Sequence, residues 1–356
     1  MNSALFSRAL RLLSALLLLV CLSAFGGSAA AAEPLIIWEE PAGSSPRSKL
    51  ADMNIDPQAD AFSAAVAFSG AIIGAHFWDA EQAIDTYTYL HEIRPGYEAE
   101  SYEDRPFLVP YLVPESDAAV VILPGGGFAC KTSDGSERES GEIAALLNAR
   151  GISAFVLHYR ANPYEYPIPC LDLQRAVRYL RANSERFHLD PEKLSLLGYS
   201  AGGTVAAAYV HLVQGQDLFP ADYVPDALDA EDDRVGSLGL VYPALSFRDN
   251  VNMLFGLFDA EAVRDVDSRI ALLEQTDLRR TLRADDIPCY LAYATADVTV
   301  GTAETLRYLE TAQALGCDIT ATAAEGQDHG FGPACYWEDY QRWLDRVFTQ
   351  YYQEGF

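Results

Sequence analysis

Hydrophobic and polar positions fall into a regular pattern from about Pro106 onward, where short apolar runs alternate with stretches whose apolar residues recur at helical spacing. Residues 118–123 (AAVVIL) form a continuous apolar run that ends at Pro124 and three glycines, Gly125, Gly126 and Gly127. Residues 143–150 predict a helix that stops at Gly151, a residue suited to the position just past a helix end. Residues 153–157 predict the next strand. Leu173, Ala176, Val177 and Leu180 then fall at i, i+3, i+4 and i+7 and give one apolar helix face. Further strands are predicted over 194–197, 238–242, 289–294 and 319–323, and further helices over 204–212, 303–315 and 337–352. Strands that are apolar along their whole length, alternating with helices, mean a largely parallel sheet with helices on both faces. The predicted fold class is α/β.

Three regions stand outside this alternation. In residues 1–32 the only charges are Arg8 and Arg11; a Leu-rich apolar run follows, and Ala30, Ala31 and Ala32 precede Glu33. This is the order of a secretory signal, with an apolar run too short for a comfortable membrane span. Export is the expected location, and an uncleaved N-terminal membrane anchor is the alternative. Residues 33–105 form an N-terminal extension ahead of a main domain over 106–356. Within it, residues 61–78 (AFSAAVAFSGAIIGAHFW) are uncharged and reach the length of a membrane span. Their richness in Ala, Ser and Gly, and His76 among them, favour a helix packed on the main domain over membrane contact. Residues 248–286 are rich in charge and read either as a cap over a site or as a surface excursion.

Charge removes several functions. The net charge is −26, the opposite of the basic footprint that nucleic-acid binding needs, and anionic membrane surfaces are disfavoured for the same reason. Loss of residues 1–32 would take away two positive charges and no negative ones, giving −28. The chain has 356 residues, half of them apolar, which suffices for a large packed domain. Its six cysteines contain no CxxC pair, so a zinc or thioredoxin-like reading finds no support.

The chemistry is concentrated in a few places. Gly198-Tyr199-Ser200-Ala201-Gly202 is a G-x-S-x-G pattern that follows a predicted strand and opens a predicted helix. That context is a nucleophile elbow, a turn so tight that side chains at Gly198 and Gly202 would collide. A serine hydroxyl needs a base. Of the six histidines only His211 and His329 follow Ser200. His211 lies in the helix leaving the elbow, whereas His329 lies in a loop after a strand, where sites form in open α/β sheets. His329 is the candidate base. Asp297 is the candidate acid, because it follows a buried-type strand closely, and Asp328 is the runner-up. The backbone N–H groups of Gly126, Gly127 and Ala201 are the candidate donors to a developing oxyanion. This chemistry calls for no metal and no cofactor.

From about residue 107 to 352 the chain resembles an α/β-hydrolase group, BD-FAE-like, that includes microbial acetyl-xylan and related carbohydrate esterases. The matching pieces are Ile122 to Phe128, Leu147-Asn148-Ala149-Arg150-Gly151, Val156-Leu157-His158-Tyr159-Arg160 and Asp172 to Val177. Leu189-Asp190-Pro191, Gly198 to Gly203, Tyr293 to Asp297 and His329-Gly330-Phe331-Gly332 complete them. The resemblance implies the α/β-hydrolase fold and a Ser-Asp-His esterase with those roles on Ser200, Asp297 and His329. The group usually carries a second acidic residue after the triad Asp and a Pro shortly beyond; Val298 and Gly301 stand there. The expected substrate is a short-acyl or carbohydrate ester. A lipase or peptidase of the same fold, or a non-catalytic binding protein on this scaffold, are the alternatives.

Overall fold

The computed structural model describes residues 33–43, 106–128, 140–160, 164–248, 254, 257–258, 262–263 and 265–353. The signal-like residues 1–32, the apolar stretch 61–78 and most of the extension lie outside the described residues, as do Cys21 and Cys130.

Among the described residues eight strands form one sheet. In chain order they are β1 (Leu35–Ile36), β2 (Phe107–Tyr111), β3 (Ala119–Leu123), β4 (Ser153–His158), β5 (Leu194–Tyr199), β6 (Ser237–Val241), β7 (Cys289–Ala294) and β8 (Ile319–Ala324). Their spatial order is β1-β2-β4-β3-β5-β6-β7-β8. The β1–β2 and β2–β4 pairs are antiparallel; every other pair is parallel. The helices are α1 (Gly141–Asn148), α2 (Ile168–Ala182), α3 (Ser184–Phe187), α4 (Ser200–Ala208), α5 (Val266–Gln275), α6 (Thr302–Leu315) and α7 (Trp337–Gln353).

The period of two in a strand sorts the core into two layers. Ala119, Val121, Leu123, Phe155 and Leu157 face one layer, which holds residues of α2, α4 and α6. Val120, Ile122, Ala154 and Val156 face the other, filled by Ile143, Ala144 and Leu147 of α1 and by Tyr340, Trp343, Leu344 and Val347 of α7. Because helices cover both faces, β3, β4, β5 and β6 are buried at every position, which is why their sequences are apolar runs rather than alternations. The fold is that of the α/β-hydrolases. Among the described residues no helix is long and apolar enough to cross a membrane.

Three details differ from the pattern reading. Strand β2 was not legible because Pro110 interrupts it. Strand β1 is only two residues long and pairs with Phe107 and Leu108, so β2 is an edge strand where Pro110 stands, and the missing N–H costs little there. The helix predicted over 204–212 starts at Ser200, and its last turn widens into a π-turn over Tyr209–Val213. The strand predicted over 238–242 ends at Val241, and Tyr242 leaves it at φ +40°. Within 248–286, Leu254, Leu257, Val263 and Leu278 are buried, while α5 buries none of its residues.

Residues 33–43 belong to the packed body. Ile37, Trp38 and Ala42 are buried. Arg160, at the exit of β4, donates from Nη2 to the Ala42 carbonyl at 2.8 Å and grips Asp172 of α2 through Nε and Nη2, with the shorter contact 2.7 Å. Both side chains are out of solvent, at 1% and 0% exposure. Burial works against the guanidinium charge, but Asp172 outweighs it and the net direction is further up. Removing one partner strands the other charge in the core. Asp172→Ala is therefore expected to cost about 3–5 kcal/mol in a denaturant titration. A loss below about 1 kcal/mol, the range of an exposed pair, would show that the site is solvated after all.

Candidate active site

The parallel strands deliver their C-terminal ends to one edge of the sheet, and the loops that leave them there carry every candidate residue. The turn that carries Ser200 comes first. Ser200 follows β5 directly and opens α4 at φ +48°, a conformation costing about 1–3 kcal/mol for a residue with a side chain. A methyl group built on Gly202 would stand 2.5 Å from the Pro124 carbonyl oxygen, and one on Gly198 would stand 2.6 Å from the Gly202 carbonyl oxygen. The elbow is pressed against the exit of β3, so neither position has room for a side chain.

Ser200 is 8% exposed, and its Oγ lies 2.8 Å from His329 Nε2. His329 Nδ1 lies 2.8 Å from Asp297 Oδ2. Asp297 Oδ1 accepts the backbone N–H groups of Thr299 and Val300, each at 2.9 Å. One hydrogen-bonded line thus joins residues from the loops after β5, β7 and β8. Burial raises the Asp297 carboxyl pKa, but the bond and charge of His329 and the two backbone donors more than offset this, and the net direction is down from the ordinary value of 3.8. A carboxyl depressed in the folded state stabilises the fold above its unfolded value. That contribution is lost as pH falls through the lower, folded value. Melting temperatures of the wild type and Asp297→Asn should accordingly converge as pH is lowered below about 3.8. A gap that persists or widens at low pH would contradict this.

Asp328 does not reach the imidazole ring. Its Oδ1 accepts the N–H of Val298 at 3.1 Å and that of His329 at 2.8 Å, so it ties the loop after β7 to the loop after β8. Ala296 N–H, donating to the Gln327 carbonyl at 2.9 Å, makes a second tie. The two departures from the family pattern fall here. Val298 supplies the N–H that Asp328 accepts, and Gly301 caps α6 at φ +89°, which proline cannot adopt. The other histidine after Ser200, His211, has a side chain only 4% exposed that bonds the Tyr308 hydroxyl at 3.0 Å; desolvation of the ring holds its pKa below the usual histidine value.

The glycine loop leaves β3. Gly126 and Gly127 have φ of +124° and +61°, values that favour glycine. The Tyr159 hydroxyl donates to the Pro124 carbonyl at 2.8 Å and anchors the loop at its base. In the sequence Tyr159 stands only as part of a motif; nothing in a one-dimensional pattern shows that its hydroxyl crosses to the neighbouring strand exit. Ala201 lies in the first turn of α4, where N–H groups have no partner within the helix. A cavity of about 20 Å³, room for roughly one water-sized group, lies between α2 and α4. Phe128, Tyr166, Cys170, Thr204, Phe247 and Leu257 line it, and Thr204 is one turn below Ser200. Among the described residues no cluster of His, Cys, Asp or Glu could hold a metal ion.

Comparison with known proteins finds esterases of the same fold. Residues 110–224 match the BD-FAE family model. The chain is 35% identical over 133 residues to endo-1,4-beta-xylanase B of Butyrivibrio fibrisolvens, covering 35% of this chain and 20% of that protein. It is 29% identical over 92 residues to an acetylxylan esterase of Xylanibacter ruminicola, covering 26% of this chain and 18% of that one. The chain thus spans about a fifth of the length of these two curated relatives. Among solved structures, the acetyl ester-xyloside bifunctional hydrolase from Caldicellulosiruptor lactoaceticus superposes with a TM-score of 0.57 at 25% identity, covering 74% of this chain and 92% of that one.

Proposed function

We propose that this protein is a serine ester hydrolase that removes short acyl groups from carbohydrates. The observation that carries the reading is the unbroken line Ser200 Oγ–His329 Nε2–Asp297 Oδ2, 2.8 Å at each step. In this mechanism His329 Nε2 takes the Ser200 proton as Oγ attacks the ester carbonyl carbon. The carbonyl oxygen becomes negative and is met by the N–H groups of Gly126, Gly127 and Ala201. Asp297 holds the imidazole in the tautomer that leaves Nε2 free and stabilises its charged form. The tetrahedral adduct collapses, the alcohol leaves with the proton from His329, and water then attacks the acyl-serine by the same route. The acetyl group in the name of the acetylxylan esterase relative supports a short acyl group. The acetylxylan esterase relative supports a carbohydrate as the alcohol half. Residues 1–32 are proposed to direct export, which N-terminal sequencing of the exported protein beginning at Glu33 would support.

The test is a series of p-nitrophenyl esters from acetate to palmitate, followed by acetylated xylan. The expected result is fastest turnover of acetate, a steep fall with chain length, and release of acetate from xylan. No turnover at any chain length would sink the proposal, and a rate that rises toward palmitate would make the protein a lipase.

A further inference from the structure

The turn that leaves β6 plays no part in the steps above, yet it touches both the nucleophile helix and the base. Tyr242 stands at φ +40°, a region that side-chain-bearing residues rarely adopt. It also precedes Pro243, whose ring biases the residue before it toward extended backbone. Tyrosine held against both preferences is strain, and strain of this kind persists only where the surroundings over-determine it. Those surroundings are specific. The Tyr242 N–H donates to the Ala292 carbonyl of β7 at 2.8 Å. Pro243 lies against Gly203 so closely that a Cβ there would stand 2.9 Å from the proline Cβ. The Thr204 hydroxyl lies 2.9 Å from the Ala244 carbonyl oxygen and 3.3 Å from that of Ser200. The Tyr242 ring, 2% exposed, has its centroid 4.9 Å from the His329 imidazole and 4.9 Å from the Phe331 ring.

We propose that Tyr242 is a positioning residue for His329. Its ring is aimed by a strained backbone that Pro243 and Ala244 fasten to the nucleophile helix, and it sets the imidazole plane so that Nε2 faces Ser200 Oγ. The turn thereby couples the position of the base to that of the nucleophile. This rests on Ser200 and His329 being nucleophile and base. Loss of the ring leaves substrate binding intact and lets the imidazole swing, so the effect falls on acyl transfer.

The experiment compares Tyr242→Phe, Tyr242→Leu and His329→Ala on p-nitrophenyl acetate, with melting temperatures measured for each. Tyr242→Leu is expected to lower kcat about 30–100-fold at unchanged KM, the scale of a small misplacement of a reacting group. Tyr242→Phe, which keeps the ring, is expected to stay within about threefold of the wild type. An active His329→Ala would overturn the underlying mechanism itself. With His329→Ala inactive, three results would overturn the role of Tyr242: a Tyr242→Leu kcat within twofold of the wild type, a rise in KM at unchanged kcat, or a Phe variant as impaired as the Leu variant. If Tyr242→Leu does not fold, Tyr242→Met, which fills the space without a ring, takes its place. Its kcat is then expected to fall about tenfold at unchanged KM, and an unchanged kcat would overturn the proposal.

Discussion

Replacing Ser200 with alanine is expected to lower kcat/KM on p-nitrophenyl acetate by about 10⁴–10⁶-fold, leaving only what the backbone donors and binding supply. The size of the effect follows from geometry. Ser200 is the residue that the elbow presents, and His329 Nε2 lies 2.8 Å from its Oγ. Without that oxygen, the base has no proton to take and no acyl-enzyme can form. The fold should survive, because alanine removes a single atom from a residue that is already 8% exposed. A melting temperature near that of the wild type beside a near-complete loss of turnover is the expected pair of results. A variant that keeps more than about a tenth of the activity would refute Ser200 as nucleophile.

Replacing Asp297 with asparagine is expected to lower kcat by about 10²–10⁴-fold, although the two side chains have nearly the same shape. Both carboxylate oxygens of Asp297 are engaged. Oδ1 takes the N–H groups of Thr299 and Val300, and Oδ2 takes the proton on His329 Nδ1. Asparagine has one oxygen. If that oxygen serves the two backbone donors, its NH₂ group faces Nδ1, forces Nδ1 to accept, and places the proton on Nε2. The imidazole can then no longer take the Ser200 proton. Asp328 is the internal control, because a single oxygen takes both of its backbone N–H groups. One oxygen is what asparagine keeps, so Asp328→Asn should stay within about threefold of the wild type. Equal losses in the two variants would show that Asp328, not Asp297, holds the base.

The sequence carried the order of the site more clearly than its supports. Ser200, Asp297 and His329 could be selected because chain order and loops at strand ends leave few choices, and the structure brings their side chains into one hydrogen-bonded line. The glycine loop was legible because consecutive glycines after a buried strand are rare without a close backbone approach. What stayed hidden depends on contacts between segments distant in sequence. Strand β2 was masked by Pro110, tolerated because of its position at the sheet edge. Residues 33–43 carry no periodic signal; Arg160 and the burial of Ile37 and Trp38 hold them in place. Tyr242 looked like the last residue of a strand. A Tyr-Pro pair at the C-terminal end of a central parallel strand was the available clue, but its positive φ and its contact with His329 are properties of the folded chain.

Active-site labelling tests the central claim most directly. The purified protein would be treated with a fluorophosphonate, which phosphonylates an activated serine, and the modified peptide located by mass spectrometry. The account predicts a single adduct on Ser200, formed in step with loss of esterase activity and absent in His329→Ala. An active protein that loses no activity to the reagent, or whose inactivation tracks an adduct on another residue, would contradict it.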